Sequence, residues 1–251
     1  MCTDQLLLAL ADPDQILGLS YLAREPSLSW YWREAVGFRS LSGTAEDVLP
    51  LRPDLVFSAT ILKAPTRTML RATGLRVEEF ASPRTIAEAI TQIERAGALL
   101  DQPARAAAAI ARIEAAHQRL TRQRLAGPAL SVLPLERRGW VSGAESLVTD
   151  LLATAGLINL GASITPEGSR FSLEWLVTLK PDRLLLAGRN PRADDQGLAL
   201  LRHPALAAWM RPERTLILPD ALTVCGGPMI ADALDQLADE IARTDAAALS
   251  R

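Results

Sequence analysis

The segment PARAAAAIARIEAAHQRLTRQRL, residues 103–125, decides how the rest of the chain is interpreted. Strong helix formers make up most of it, Pro103 suits a first helical turn, and Gly127-Pro128 ends the pattern. An apolar residue recurs every three or four positions, which predicts one buried face. These residues are Ala106, Ile110, Ile113, Ala116 and Leu120. The helix would span more than about 30 Å, so we expect it to join two lobes.

The sequence repeats on either side of the predicted helix. Residues 45–57 and residues 173–185 each contain a short helical stretch, a basic residue, a Pro-Asp stop and an apolar strand. The offset between the two copies is 128 residues, as from Asp54 to Asp182 (182 − 54). A repeat separated by one helix predicts two similar lobes.

Composition limits the class of protein. The chain has 251 residues, of which 49% are hydrophobic and 22% charged, and this fits a globular protein with a substantial core. The net charge is −2 and the arginines are scattered among acids, so we expect no nucleic-acid partner. No apolar run reaches the roughly 20 residues of a membrane helix. No signal peptide is visible at Met1, so we expect a cytoplasmic protein, a processed secreted one or a shortened reading frame.

Predicted strands alternate with predicted helices along both halves of the chain. The strands at 55–57 and 184–186 are continuous apolar runs, which indicates parallel sheets covered on both faces. The predicted fold class is α/β, with two similar lobes of mostly parallel sheets flanked by helices and joined by one long backbone helix. We expect an N-terminal lobe over residues 1–100, the connecting helix over 101–127 and a C-terminal lobe over 128–251.

Four short motifs carry a family resemblance that covers nearly the whole chain. They are Leu51-Arg52-Pro53-Asp54-Leu55-Val56, Leu179-Lys180-Pro181-Asp182, Trp140-Val141-Ser142-Gly143-Ala144-Glu145-Ser146 and Gly226-Gly227-Pro228. In this order and spacing, and with the long helix, they resemble the periplasmic substrate-binding proteins of ABC importers for cobalamin, ferric siderophores and haem, the helical-backbone class. The resemblance implies a periplasmic monomer that has no cofactor and is not an enzyme.

The resemblance also implies a function. The protein would capture a metal chelate, a corrinoid or a haem-like ligand between its lobes and deliver it to an ABC permease dimer in the membrane. Two alternatives stay open: a ligand-sensing module, and a two-lobed metallocluster or corrin-handling enzyme. That enzyme would need more cysteines or histidines than this chain offers, since His117 and His203 are its only histidines and both are expected at the surface.

One departure from the family concerns the start of the chain. The family has a signal sequence and a first strand ahead of the segment that matches residues 2–5. Neither is found in this sequence, so we expect that the natural polypeptide starts upstream or that it has been shortened.

Glu46 and Glu174 occupy equivalent positions in the two copies of the repeat. Each lies in the first turn of its predicted helix, where a carboxylate compensates the helix dipole. The resemblance implies a second role, because the matching glutamates of the family, one in each lobe, meet arginines on the permease dimer. Two exposed charges at a fixed separation suit such a partner.

The ligand is expected against loops at the carboxyl ends of the strands. Aromatic faces, arginines and hydroxyls in these loops suit a large ring or chelate that carries anionic groups. The candidate ligand-binding residues are Cys2, Tyr21, Arg24, Ser42, Thr60, Trp140, Arg170, Phe171, Thr223 and Cys225. Ordinary loop packing is the alternative for each of them. One or two aromatic residues of Trp30-Tyr31-Trp32 are a further candidate for the rim of the cleft.

Cys2 and Cys225 are the only cysteines. By the resemblance both lie at the mouth of the cleft, one in each lobe. Three interpretations stay open: inert buried thiols, a disulfide across the cleft, or soft ligands for a metal or a metal-bearing ligand.

Overall fold

The computed structural model describes residues 1–60, 64–123, 128–136, 139–187, 204–206 and 210–249. The helices are α1 (Cys2–Leu10), α2 (Ala45–Val48), α3 (Ala64–Ala72), α4 (Ile86–Leu99), α5 (Pro103–Arg122), α6 (Leu147–Thr154), α7 (Glu174–Leu179), α8 (Asp220–Thr223) and α9 (Ile230–Leu249). The strands are β1 (Leu19–Ser20), β2 (Ser40–Leu41), β3 (Leu55–Ala59), β4 (Arg76–Phe80), β5 (Ser131–Leu135), β6 (Trp140–Ser142), β7 (Ile158–Asn159), β8 (Gly168–Arg170), β9 (Arg183–Leu186) and β10 (Thr215–Ile217).

The chain divides into two compact units. The first unit contains Met1–Pro83, Ala87–Ala111 and Val224–Met229, and the second unit contains Arg84–Ile86, Arg112–Thr223 and Ile230–Arg251. The division falls inside α5, which is the helix that the alanine-rich segment predicts, and residues 124–127 after it lie outside the described part of the chain. The sequence-based expectation instead placed lobe boundaries at residues 100 and 127, with this helix as a separate element between the lobes. These boundaries stay a prediction.

The first unit contains two pairs of parallel strands. β1 pairs with β2, and β3 pairs with β4 over its whole length. Helix α1 packs against β3, and the buried Leu6 and Leu10 lie on its inner face. The guanidinium of Arg105, near the start of α5, donates hydrogen bonds to the carbonyls of Leu10 (3.1 Å) and Ala11 (2.8 Å) and pairs with Asp12. These bonds fix the amino-terminal half of α5 to the end of α1.

The second unit has a four-stranded parallel sheet in the order β10-β9-β5-β7, and an antiparallel pair, β6 with β8. All four residues of β9 are buried, as are the last four of β5, as expected for central strands covered on both faces. Arg112 and Arg119 on α5 pair with Asp232 and Asp235 on α9, and these pairs join the two long helices of this unit.

The repeat seen in the sequence is also a repeat of backbone conformation. Arg52 (φ 48°, ψ 53°) and Lys180 (φ 46°, ψ 59°) both adopt the left-handed conformation that ends a short helix. In each copy a parallel strand begins three residues later, at Leu55 and at Arg183. The α/β fold class with mostly parallel sheets is therefore confirmed.

Candidate ligand-binding site

The predicted site residues of the first unit follow the strands directly. Tyr21 comes after β1 and Ser42 after β2, and because these strands are paired in parallel, both residues lie at the same end of that pair. Thr60 follows β3 at the corresponding end of the other pair and is exposed. Tyr21 is 59% exposed, so its phenol is available to a ligand.

Two of these residues are held by intramolecular bonds. The Arg24 guanidinium donates to the carbonyls of Ala35 (3.4 Å), Val36 (3.2 Å) and Phe38, so it braces the turn at residues 35–38. The backbone N–H of Ser42 donates to the Asp47 carboxylate at 2.7 Å, and the Ser42 hydroxyl donates to the same oxygen. These donors therefore already serve the fold, and contact of Arg24 or Ser42 with a ligand stays a prediction.

The aromatic cluster at residues 30–32 spreads over different environments. Trp30 is 37% exposed, and its backbone N–H donates to Oε1 of the buried Gln5 at 2.8 Å. The Trp32 ring lies under the Arg33 guanidinium, 4.4 Å from ring centroid to carbon. Which of them faces a ligand stays a prediction.

In the second unit, Trp140 and Arg170 are brought together. They face each other as paired residues of β6 and β8, both exposed, so an aromatic face and a guanidinium lie side by side. The indole packs over Gly168, where a Cβ would meet Trp140 Nε1 at 3.0 Å and the Val141 carbonyl at 2.4 Å. Gly168 also has φ +113°, which L side chains rarely adopt, so glycine is required at the start of β8.

Phe171 and Thr223 are less open to a ligand. The Phe171 ring is half-buried against the core of the second unit and makes an edge-on contact with Trp175, with 6.2 Å between centroids. Its backbone N–H donates to the Gly139 carbonyl at 2.7 Å. Thr223 ends α8 and its hydroxyl donates to the Asp220 carbonyl at 3.4 Å. Phe171 therefore contributes to packing in addition to any contact with a ligand.

Sequence reasoning missed Glu136, the residue that follows the central strand β5. Its backbone N–H donates to the Trp140 carbonyl at 2.8 Å, and its Oε1 is buried with no hydrogen-bond partner among the described residues. Burial raises the pKa of Glu136 to about 7, with a further contribution from the charge of Asp220 and an opposing one from hydrogen bonds with Ser142. An acidic residue directly after a buried apolar strand was the available signal.

The structure joins Cys2 and Cys225 in a disulfide, one of the three interpretations left open. The expectation of one cysteine in each lobe is wrong, because Val224–Met229 packs with the first unit, where Gly226 lies directly against Pro83. A metal site on these two thiols is also wrong for the oxidised protein, since neither sulfur is a thiolate. Among the residues that the structure places, no group of three or more His, Cys, Asp or Glu is arranged to hold a metal ion.

A family model described as periplasmic binding protein matches residues 1–209, which is most of the chain. The chain belongs to the periplasmic binding protein family. The predicted family is thereby confirmed. A search of curated protein sequences gave no significant match.

Solved structures of periplasmic binding proteins match nearly the whole chain. A periplasmic haem-binding protein from Pseudomonas aeruginosa is 25% identical, with a TM-score of 0.75 over 96% of this chain and 89% of its own. The periplasmic haem-binding protein RhuT from Roseiflexus sp. RS-1, in its apo form, is also 25% identical, with a TM-score of 0.76 over 96% and 94%. The periplasmic haem-binding protein HutB of Vibrio cholerae is 19% identical, with a TM-score of 0.77 over 95% of each chain, and supports the fold.

The two glutamates expected to dock this periplasmic binding protein are both exposed, each in the first turn of its helix. Hydrogen bonds from its own backbone N–H and from the Thr44 hydroxyl lower the pKa of Glu46. Docking through Glu46 and Glu174 stays a prediction.

His117 lies partly exposed on α5, and His203 lies outside the described residues. None of the helices in the placed part of the chain has the length and apolar character needed to cross a bilayer.

Proposed function

We propose that this periplasmic binding protein captures haem, or an iron chelate of similar shape, and delivers it to an ABC permease. The observation that carries the proposal is the match of nearly the whole chain to two haem-binding proteins at 25% identity. A carrier of this kind performs no chemistry on its ligand, which fits the family of binding proteins to which the chain belongs.

The exposed residues at the strand ends support a haem-like ligand. Haem iron accepts phenolate oxygen as an axial ligand, and Tyr21 presents an exposed phenol after β1. Trp140, 41% exposed, offers an aromatic face for a flat macrocycle, and the neighbouring Arg170 offers a fork of donors for a carboxylate. We assign Tyr21 to the iron.

The disulfide supports an extracytoplasmic location. Structural disulfides persist in oxidising compartments such as the periplasm and are rare where thioredoxin and glutathione keep thiols reduced. The bond between Cys2 and Cys225 therefore fits a protein that works outside the cytoplasm.

The test of the ligand is a titration of the purified protein with hemin, followed by the Soret absorption and by tryptophan quenching. We expect a saturable complex with one hemin per chain. Tyr21→Phe should shift the Soret maximum and weaken binding at least about tenfold, because the phenolate contributes a metal–ligand bond. Met69→Leu is the control, since Met69 lies on α3 of the same unit, is 46% exposed and is not among the candidate ligand-binding residues. Saturable binding of cobalamin or a ferric siderophore in place of hemin would overturn the haem assignment and leave the family intact.

We further propose that Glu46 and Glu174 dock the protein on the permease. Both are exposed carboxylates at equivalent points of the internal repeat, six residues before the left-handed Arg52 and Lys180. The test is hemin uptake in membranes that contain the cognate permease. Glu46→Arg with Glu174→Arg should abolish uptake while the hemin affinity stays unchanged. Glu114→Arg, an exposed glutamate on α5, is the control and should leave uptake intact. Normal uptake by the doubly reversed variant would refute the docking assignment.

A further inference from the structure

The strand β10 lies at the edge of the sheet in the second unit. In the order β10-β9-β5-β7 it has a strand on one side only, and the N–H of Leu218, just after β10, points to that side and donates to the Leu186 carbonyl at 2.8 Å. Because successive residues of a strand turn their backbone groups to opposite sides, those of Thr215 and Ile217 point away from β9. Outward N–H and C=O groups of this kind are a template on which another chain can add a strand.

Three side chains of α9 cover this edge. The Ile217 N–H donates to the Glu240 carboxylate at 2.8 Å, and the Ile217 carbonyl accepts from Nε2 of Gln236 at 3.0 Å. The Thr215 carbonyl accepts from the Arg243 guanidinium at 2.5 Å. Positions 236, 240 and 243 are four and three residues apart, so these side chains leave the helix on one face. This face makes with β10 the hydrogen bonds that a neighbouring strand would otherwise make.

The covering side chains are also fixed to one another. Arg243 pairs with Glu240 at 2.6 Å and donates a further hydrogen bond to the Pro212 carbonyl at 3.0 Å. The Glu240 side chain is only 16% exposed, so its carboxylate is held against the strand and not free in water. The cover is therefore an ordered part of the second unit.

The equivalent edge of the first unit is covered in the same way. β3 and β9 belong to the two copies of the repeat, and β4 pairs with β3 as β10 pairs with β9. The Phe80 carbonyl of β4 points to β3, where it accepts from the Thr60 N–H at 3.1 Å, so alternate residues point outward. Their carbonyls accept from helix side chains: Val77 from Arg71 (3.2 Å), Glu79 from Arg95 (2.7 Å) and Ala81 from Gln92 (2.8 Å). The two units thus cover corresponding edges with different residues.

We propose that the edge of β10 is a self-association site for a second copy of this chain, and that Gln236, Glu240 and Arg243 keep it closed. The strand residues, Thr215-Leu216-Ile217, carry no charge that would repel a copy, and Ile217 is 38% exposed. An edge strand can pair with itself about a two-fold axis. With the axis at Leu216, Thr215 of one copy lies opposite Ile217 of the other, and both residues have outward backbone groups for an antiparallel pair.

The edge and its cover include none of the candidate ligand-binding residues, so the test is independent of the haem assignment. The molar mass of the protein is measured by size-exclusion chromatography with light scattering over a range of concentrations. We expect the parent to keep the mass of one chain, 27.1 kDa. Gln236→Ala combined with Glu240→Ala and Arg243→Ala should approach twice that mass as the concentration rises. A dimeric parent, or a triple variant that stays monomeric, would overturn the proposal.

Asp239→Ala is the control for the helix. Asp239 is exposed on α9 beside Glu240, and none of its described bonds reaches β10, so this variant should stay monomeric. Ile217→Lys added to the triple variant should restore the monomer, because a charge on an edge strand opposes pairing. A dimer that survives Ile217→Lys would form through another surface, and this result would also overturn the proposal.

Amide hydrogen exchange tests the cover directly. In Glu240→Ala at low protein concentration, exchange of the Ile217 N–H should be at least about tenfold faster than in the parent, because its acceptor is lost. Unchanged Ile217 exchange would overturn the cover.

A milder pair of variants serves if the triple variant does not fold. Glu240→Gln keeps an oxygen that can accept from the Ile217 N–H and should stay monomeric. Gln236→Glu replaces the donor to the Ile217 carbonyl by a second acceptor, so it should open the edge and dimerise. Equal masses for these two isosteric variants would overturn the proposal.

Discussion

Cys2 and Cys225 are 223 residues apart in the sequence, and a disulfide holds their Cα atoms 5.1 Å apart within the first unit. Cys225 belongs to the short segment Val224–Met229, which the chain reaches only after passing through the second unit. The bond therefore fixes this returning segment beside α1. A cross-link that closes so long a loop lowers the conformational entropy of the unfolded chain. In the chain-entropy model this raises the free energy of unfolding by about 5 kcal/mol.

The first prediction follows from that loop. Cys225→Ser should lower the free energy of unfolding of the first unit by about 2–5 kcal/mol. Urea unfolding without reductant, followed by circular dichroism, measures the change. Cys2→Ser should lose the same amount, and the double variant should lose no more than either single one. Reductant should lower the free energy of unfolding of the parent protein to that of the variants. Equal stability of parent and variant without reductant would show that the disulfide is not formed.

Much of the fold could be predicted because it depends on local sequence. The long helix follows from helix propensity and apolar spacing, and the repeat follows from two Pro-Asp stops. The basic residue before each Pro-Asp is left-handed in both units, so equal local sequence produced equal local backbone at Arg52 and Lys180.

The features that sequence could not supply depend on distant contacts. Glu136 owes its raised pKa to burial and to Asp220, which is far away in sequence. The position of Cys225 in the first unit depends on how the segment after α8 packs. The donors of Arg24 are engaged by carbonyls of a turn whose conformation no spacing rule predicts. Binding residues stayed predictions because they lie in loops, where pattern carries least information.

The second prediction concerns Gly168, which lies beneath the Trp140 indole. Gly168→Ala places a Cβ at φ +113° and 2.4 Å from the Val141 carbonyl oxygen, so the start of β8 must move away from β6. We expect the free energy of unfolding of the second unit to fall by about 1–3 kcal/mol. Tryptophan emission should change as well, because the indole is displaced.

Gly37→Ala is the control for this prediction. A Cβ at Gly37 meets nothing within 4 Å, and its backbone conformation is ordinary for an L residue. This variant should be neutral or slightly stabilising by denaturant unfolding. Equal stability of the two alanine variants would show that the start of β8 has room for a Cβ at Gly168, against the contacts in the structure.

The third prediction concerns a buried ion pair. Arg183, at the start of β9, is almost fully buried and pairs with Asp245 on α9. A second nitrogen of its guanidinium, Nη1, is buried with no hydrogen-bond partner among the described residues. Asp245→Ala leaves the positive charge of Arg183 buried and without this partner. We therefore expect the free energy of unfolding to fall by about 3–5 kcal/mol. Arg183→Met combined with Asp245→Leu should cost much less, because no charge then remains inside.

The matched pair on the same helix is Arg119 with Asp235, whose side chains are about half and two-fifths exposed (52% and 40%). Asp235→Ala should cost less than about 1 kcal/mol, as expected for a pair in contact with water. Urea unfolding of both alanine variants gives the comparison. A loss at Asp245 as small as the loss at Asp235 would mean that water reaches Arg183.

The fourth prediction is a pH dependence that Glu136 imposes. Its pKa is about 7 in the folded protein and 4.5 for the ordinary group, so the folded state holds the proton more tightly. The free energy of unfolding is therefore highest below about pH 4.5, where the carboxyl is protonated in both states, and it falls as the pH rises through 7. Glu136→Gln keeps the shape and removes the charge. It should therefore match the parent near pH 4.5 and exceed its unfolding free energy near pH 8 by of the order of 3 kcal/mol.

Glu167→Gln separates this effect from a general change of net charge. Glu167 is an exposed carboxylate in the same unit, close to β8, so its removal alters the charge without relieving burial. Near pH 8, Glu167→Gln should therefore change the free energy of unfolding far less than Glu136→Gln does. Because both variants lose one negative charge, only burial distinguishes them. A Glu136→Gln profile parallel to that of the parent from acid to alkaline pH would show that water reaches the Glu136 carboxyl.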